Sequence, residues 1–108
     1  MELGIEIGNL IFKGPYKTNN KIKDQAGLYA IHCYRQGNYH LIDIGEAYRL
    51  QSTIQDHHRI KCWQKNCSGM ITVAVYYTPH WQRKGRVKFV NKIRDKYHPP
   101  CGNKIEES

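Results

Sequence analysis

Leu3, Ile5 and Ile7 alternate with polar residues, the pattern breaks at Gly8-Asn9, and it resumes with Leu10, Ile11 and Phe12. Two short runs joined by Gly-Asn predict a β-hairpin, because both residues tolerate the positive φ of a two-residue turn. Gly14-Pro15 is expected to end that hairpin, and Thr18 to Asp24 reads as a polar connector. From Gly27 to Tyr34 the chain is β-prone and apolar on both faces, as in a central strand; Gln36-Gly37-Asn38 turns it, and Tyr39 to Ile44 returns as its partner. Met70 to Tyr77 is the most strand-like run, rich in β-branched and aromatic residues, and Thr78-Pro79 stops it.

Two segments carry helical spacing. Between Glu46 and Arg59, the residues Ala47, Leu50, Ile54 and His57 or His58 recur one turn apart, and Glu46 in the first turn suits the helix dipole. From Arg83 to Tyr97, Lys84, Lys88, Lys92 and Lys96 drift along one side while Val87, Phe89, Val90, Ile93 and Tyr97 occupy the other, with Arg86 and Arg94 intruding on the apolar arc. His98-Pro99-Pro100 terminates this helix, and the polar tail is expected to fray. Ile60 to Gly69 shows no period.

This order predicts an α+β, sandwich-like fold: a small antiparallel β-sheet of about three central strands flanked by helices, with an N-terminal β-hairpin. Residues 1–26 form hairpin and connector, 27–103 the main domain, and 104–108 the tail. A length of 108 residues fits one domain and excludes a substrate cavity built between domains; 40% hydrophobic residues allow a packed core. No run approaches the roughly 18 apolar residues of a membrane helix. Glu2 and Glu6 replace the basic start of an export signal, so a cytoplasmic protein is expected. In that compartment Cys33, Cys62, Cys67 and Cys101 are expected as free thiols. A zinc site from Cys62 and Cys67 with His57, His58 or Cys101 is a second reading, at the edge of usual ligand spacing.

Charge changes the picture more than composition does. The net +8 is lopsided: residues 1–54 hold six Lys+Arg against five Asp+Glu, and residues 55–108 hold eleven against four. A basic face of Arg59, Lys61, Arg83, Lys84, Arg86, Lys88, Lys92 and Lys96 suits a nucleic-acid backbone, DNA in preference to RNA, because neutralised phosphates release counterions. The alternative is a solvated lysine-rich surface. Trp63, Trp81, Tyr76 and Tyr77 are candidates for stacking on bases or for the core.

Gly27-Leu28-Tyr29 on one strand and Asp43-Ile44-Gly45 on the next, followed by a helix and closed by Tyr97-His98-Pro99-Pro100-Cys101-Gly102, resemble the GIY-YIG nuclease domain over roughly residues 27–103. The resemblance implies a phosphodiesterase in which tyrosine, arginine and a metal-binding glutamate surround the scissile phosphate. Tyr29 matches the first family tyrosine. The second tyrosine position falls on Asp43, the helix arginine on Thr53, and the glutamate on Val90 or its neighbour Asn91. Shifted replacements are available in Arg49 for the arginine and in Asp43 with Glu46 for metal oxygens.

The expected function is therefore a catalytically deficient GIY-YIG-like domain that binds nucleic acid or regulates by interaction, with no cofactor. One alternative is a divergent endonuclease with Tyr29 and Arg49 as catalytic residues and Mg²⁺ or Mn²⁺ held by Asp43 and Glu46. The other is a regulator that binds a protein partner through the former cleft.

Overall fold

A computed structural model of the chain describes residues 4–106. Glu2, Leu3 and the last two tail positions, 107 and 108, lie outside the described residues. Five strands and three helices follow in the order β1 (Gly4–Ile7), β2 (Leu10–Tyr16), β3 (Gly27–Arg35), β4 (Asn38–Ala47), α1 (Leu50–Gln55), α2 (Ile60–Lys65), β5 (Met70–Tyr77) and α3 (Arg83–Tyr97). The strands form one antiparallel sheet in the order β1-β2-β5-β3-β4.

The class is α+β, but the expectation of about three central strands with a separate hairpin is corrected. Strand β2 pairs with β5, Lys13 opposite Val75 and Tyr16 opposite Val73, so the hairpin extends the sheet to five strands. Gly14-Pro15 does not end β2: the register shifts between Lys13 and Tyr16, where proline offers no N–H to the ladder, and pairing then resumes. The two expected turns are present as two-residue connections. In the β3–β4 turn both Gln36 (φ 53°) and Gly37 (φ 81°) take positive φ, the requirement of a type I′ hairpin.

The expected helix over residues 46–59 is also corrected. Glu46 and Ala47 belong to β4, paired with Leu28 and Gly27, and of the remainder only the six-residue α1 is helical; beyond a break at residues 56–59 the six-residue α2 lies in the segment where no period was visible. At the break the His57 ring accepts the Arg59 N–H at Nδ1 (3.0 Å), which competes with helix continuation. Helix α3 runs from Arg83 to Tyr97 as its periodicity predicts and is capped by His98 in the left-handed region, whose N–H reaches the Arg94 carbonyl.

The sheet divides the core in two. On one face Leu28, Ala30, Ile44 and Ala74 pack with Phe12 against Val90 and Ile93 of α3. On the other, Tyr29, Ile31, Cys33, Val73 and Val75 pack against Leu50 and Ile54 of α1 and Trp63 of α2. Strand β4 forms one edge of the sheet, and the segment after α3 runs along it: the Cys101 N–H donates to the Ile42 carbonyl at 3.0 Å. The tail is anchored where fraying was expected, since Asn91 and Ile105 exchange two hydrogen bonds of 2.6 and 2.7 Å.

Candidate functional site

Opposite Ile31 and His32, strand β4 carries an extra residue, Ile42, and Asp43 beside it meets side chains from α2, from the break before it and from α3. Asp43 is fully buried. A carboxylate there requires donors, because an unpaired buried charge costs several kcal/mol. Three side chains supply them. Arg59 donates through Nε (2.8 Å) and Nη2 (3.3 Å), Trp63 through Nε1 (2.7 Å), and Arg94 through Nη2 (2.8 Å). Arg94 comes from α3 and also donates to the Ile44 and Cys101 carbonyls, so it bridges the two layers around the β4 edge. A Cβ on Gly102 would collide with its guanidinium, which explains glycine at that position.

Tyr29 and His57 adjoin this centre. The Tyr29 hydroxyl lies 2.5 Å from His57 Nε2 and 3.3 Å from Arg59 Nη2. Because His57 Nδ1 already accepts the Arg59 backbone N–H, the neutral ring carries its proton on Nε2 and donates it to the tyrosine oxygen. That oxygen thus accepts from two donors. Burial lowers the His57 pKa to about 4, aided by the Arg59 charge, and burial raises Tyr29 to about 12, so both are neutral near pH 7. His57 is further packed between the rings of His58 and Trp63. Across the β3–β4 ladder Tyr29 faces Gly45, and a Cβ there would strike the phenol ring and hydroxyl.

Glu46, three residues beyond Asp43, is occupied in a different way. It accepts from Arg86 Nε at 2.9 Å and lies 3.5 Å from Arg83 Nε. Asp43 and Glu46 do not fit a Mg²⁺ or Mn²⁺ site: their oxygens are already engaged by guanidinium and indole donors, which a hydrated hard cation would have to displace. Among the described residues no group of three or more His, Cys, Asp and Glu side chains is placed to hold a metal ion. Val90 is fully buried among Phe12, Leu28, Ile44 and Ala74.

The remaining predicted residues separate by exposure. Lys61, Lys84, Lys88, Lys92 and Lys96 are exposed, and none forms an ion pair among the described residues. Arg86 is buried against Glu46, and Arg59 turns inward to Asp43, so neither guanidinium lies free on the basic face. Arg49 is 68% exposed, with Asp24 as its ion-pair partner at 3.8 Å, and does not join the Tyr29–Asp43 centre. The expectation of free thiols is corrected: Cys33 bonds to Cys67 and Cys62 to Cys101, and all four are consumed. Cys62 and Cys67, in different disulfides, leave no thiolate for zinc.

Sequence reasoning missed the roles of His57, Trp63 and Arg94. Arg94 carried a signal as a cation on the apolar arc of α3, while His57 was visible only as part of an apolar stripe and Trp63 only as a candidate for the core or for stacking. Comparison of the chain with protein-family models, with curated proteins and with solved structures finds no match.

Proposed function

We propose that this chain is a nuclease-like domain that binds nucleic acid through the exposed side of α3 and does not cut it. The observation that carries the reading is the contrast between its two sets of charges. Both carboxylates at the end of β4 are neutralised internally by Arg59, Arg94 and Arg86, while the exposed Arg83, 3.5 Å from Glu46, and the exposed Lys84, Lys88, Lys92 and Lys96 present their charges to solvent, the four lysines forming no ion pair among the described residues and Lys96 lying over the Tyr97 ring. Unpaired lysines along one helix attract a phosphate backbone without reading bases. The resemblance to GIY-YIG domains adds to this reading, since Gly27-Leu28-Tyr29 and Asp43-Ile44-Gly45 lie on paired strands with Tyr29 opposite Gly45. The engagement of Asp43 and Glu46, the carboxylates of β4 near Tyr29, by guanidinium donors supports binding over cleavage.

The test is a salt titration of duplex DNA binding followed by fluorescence anisotropy. With about five phosphate contacts, from Arg83 and the four lysines, affinity should fall on the order of a few hundredfold between about 50 and 200 mM salt. Salt-independent or absent binding refutes the proposal. Plasmid incubated with the protein and Mg²⁺ or Mn²⁺ should remain supercoiled; nicking that disappears in Tyr29→Phe would establish the endonuclease alternative instead.

A further inference from the structure

Tyr48, in the bend between β4 and α1, is the most exposed large hydrophobic side chain of the described residues, with 76% of its surface in solvent. It has no ring partner and no hydrogen bond among the described residues. Beside it Arg49 is 68% exposed. The two residues line an open cavity of about 350 Å³ together with Asp24, Gln25, Ala26 and Pro79. The floor is held by backbone hydrogen bonds on both sides: the Leu50 N–H donates to the Gln25 carbonyl and the Thr78 N–H to the Ala26 carbonyl, each at 2.9 Å. Asp24 accepts from the Ser52 N–H (2.9 Å) and hydroxyl (2.7 Å), which fixes the start of α1 and with it the position of Arg49. Around the cavity stand one aromatic ring, one proline and the Arg49 guanidinium, which lies 3.8 Å from the Asp24 carboxylate and is 68% exposed on its other side.

Its position gives it a partner. Glu46, two residues before Tyr48, lies 3.5 Å from Arg83, the first residue of α3, so the lysine row of that helix begins at the same corner of the molecule. A polyanion lying along α3 is led toward Tyr48. A stacking ring, a guanidinium for phosphate and an exposed side-chain amide on Gln25 around an open surface hollow are elements that hold an unstacked nucleotide, whose other side stays in solvent. A fully paired duplex presents no free base face and cannot use them.

We propose, building on the nucleic-acid reading above, that Tyr48, Arg49 and the cavity beside them form a site for an unpaired nucleotide, Tyr48 stacking on its base and Arg49 contacting its phosphate. The preferred substrate is then nucleic acid with a bulged, gapped or single-stranded element and not a perfect duplex.

Anisotropy titrations with three oligonucleotides of equal length test this: a perfect duplex, the same duplex with one unpaired base, and a single strand. The duplex with the unpaired base should bind about tenfold tighter than the perfect one, the size of effect expected for one aromatic stack. In Tyr48→Ala that ratio should collapse to about one, and in Tyr48→Phe, which keeps the ring, it should persist; thermal melting of both variants checks that they fold. Equal affinities for the two duplexes in the native protein, or a preference that survives Tyr48→Ala, overturns the inference while leaving backbone binding intact. Failure of all three oligonucleotides to bind overturns the nucleic-acid reading and this one together.

Discussion

The two faces of the sheet are held by different means. On the α3 face a fifteen-residue helix lays Val90 and Ile93 on Leu28, Ala30 and Ile44, and hydrocarbon burial carries most of the contact. On the other face two six-residue helices cover Tyr29, Ile31 and Val75. Helices that short are too small to hold themselves in place by burial alone. There the chain uses Asp43 as an anchor for Arg59 and Trp63, and two disulfides that both end near α2, at Cys62 and Cys67. The difference teaches that Asp43, at a position resembling a catalytic one, serves as the polar cross-link of the face with the short helices, whereas Glu46, paired with Arg83 and Arg86, ties α3 to the end of β4.

The strongest way to break this contrast is Asp43→Ala. It leaves two guanidinium groups and an indole N–H without their acceptor, and the urea midpoint should fall by the equivalent of about 3–5 kcal/mol. That is a large share of the roughly 5–15 kcal/mol typical of a domain this size. Next, replacing Cys62 and Cys101 together by serine reopens a loop spanning 39 residues and should cost about 3–4 kcal/mol on loop-closure grounds. Reductant added to the native protein should lower its melting temperature in the same direction. By comparison Val90→Ala on the α3 face removes only hydrocarbon and should cost about 2 kcal/mol. If Val90→Ala proves more damaging than Asp43→Ala, the division between the faces is wrong.

How much of this was legible in sequence depends on how far apart the interacting residues lie. Strands β3, β4 and β5 and helix α3 were readable because each has a long apolar run or clear period bounded by its own turn. Helices α1 and α2 were not, because six residues give fewer than two turns of periodicity: the stripe containing α1 ran on into the end of β4 and the break at His57, and α2 showed no period of its own. The pairing of β2 with β5 was hidden as well, since no local signal states which edge a hairpin will join. Asp43 was legible as a carboxylate at a motif position. Its role was not, because its donors are 16, 20 and 51 residues away in the chain. The disulfides depend on the same long-range meetings.

Protonation sharpens the comparison, because each face holds one neutral buried histidine. His57 sits on the α1–α2 face, and His32, whose Nδ1 has no hydrogen-bond partner, alternates with β3 residues of the α3 face. Burial lowers both pKa values from 6.5 to about 4. The unfolded chain therefore takes up protons that the folded one refuses, and stability should fall as pH drops from about 6.5 toward 4. Urea midpoints between pH 7 and 4.5 should show this loss, with His57→Gln and His32→Leu each flattening part of the slope. A loss confined to one variant would show that only one face couples to protonation.

The segment after α3 has a consequence for association as well as for stability. A bare edge strand offers its N–H and C=O groups to any other strand, including that of a second copy. At β4 the Ile42 carbonyl is already taken by Cys101, whose side chain is in turn bonded to α2, so this edge is blocked by the chain's own covalently tethered backbone. Freed from that tether, β4 becomes a template for strand addition, and reduction of the Cys62–Cys101 bond would promote self-association of the protein before it unfolds.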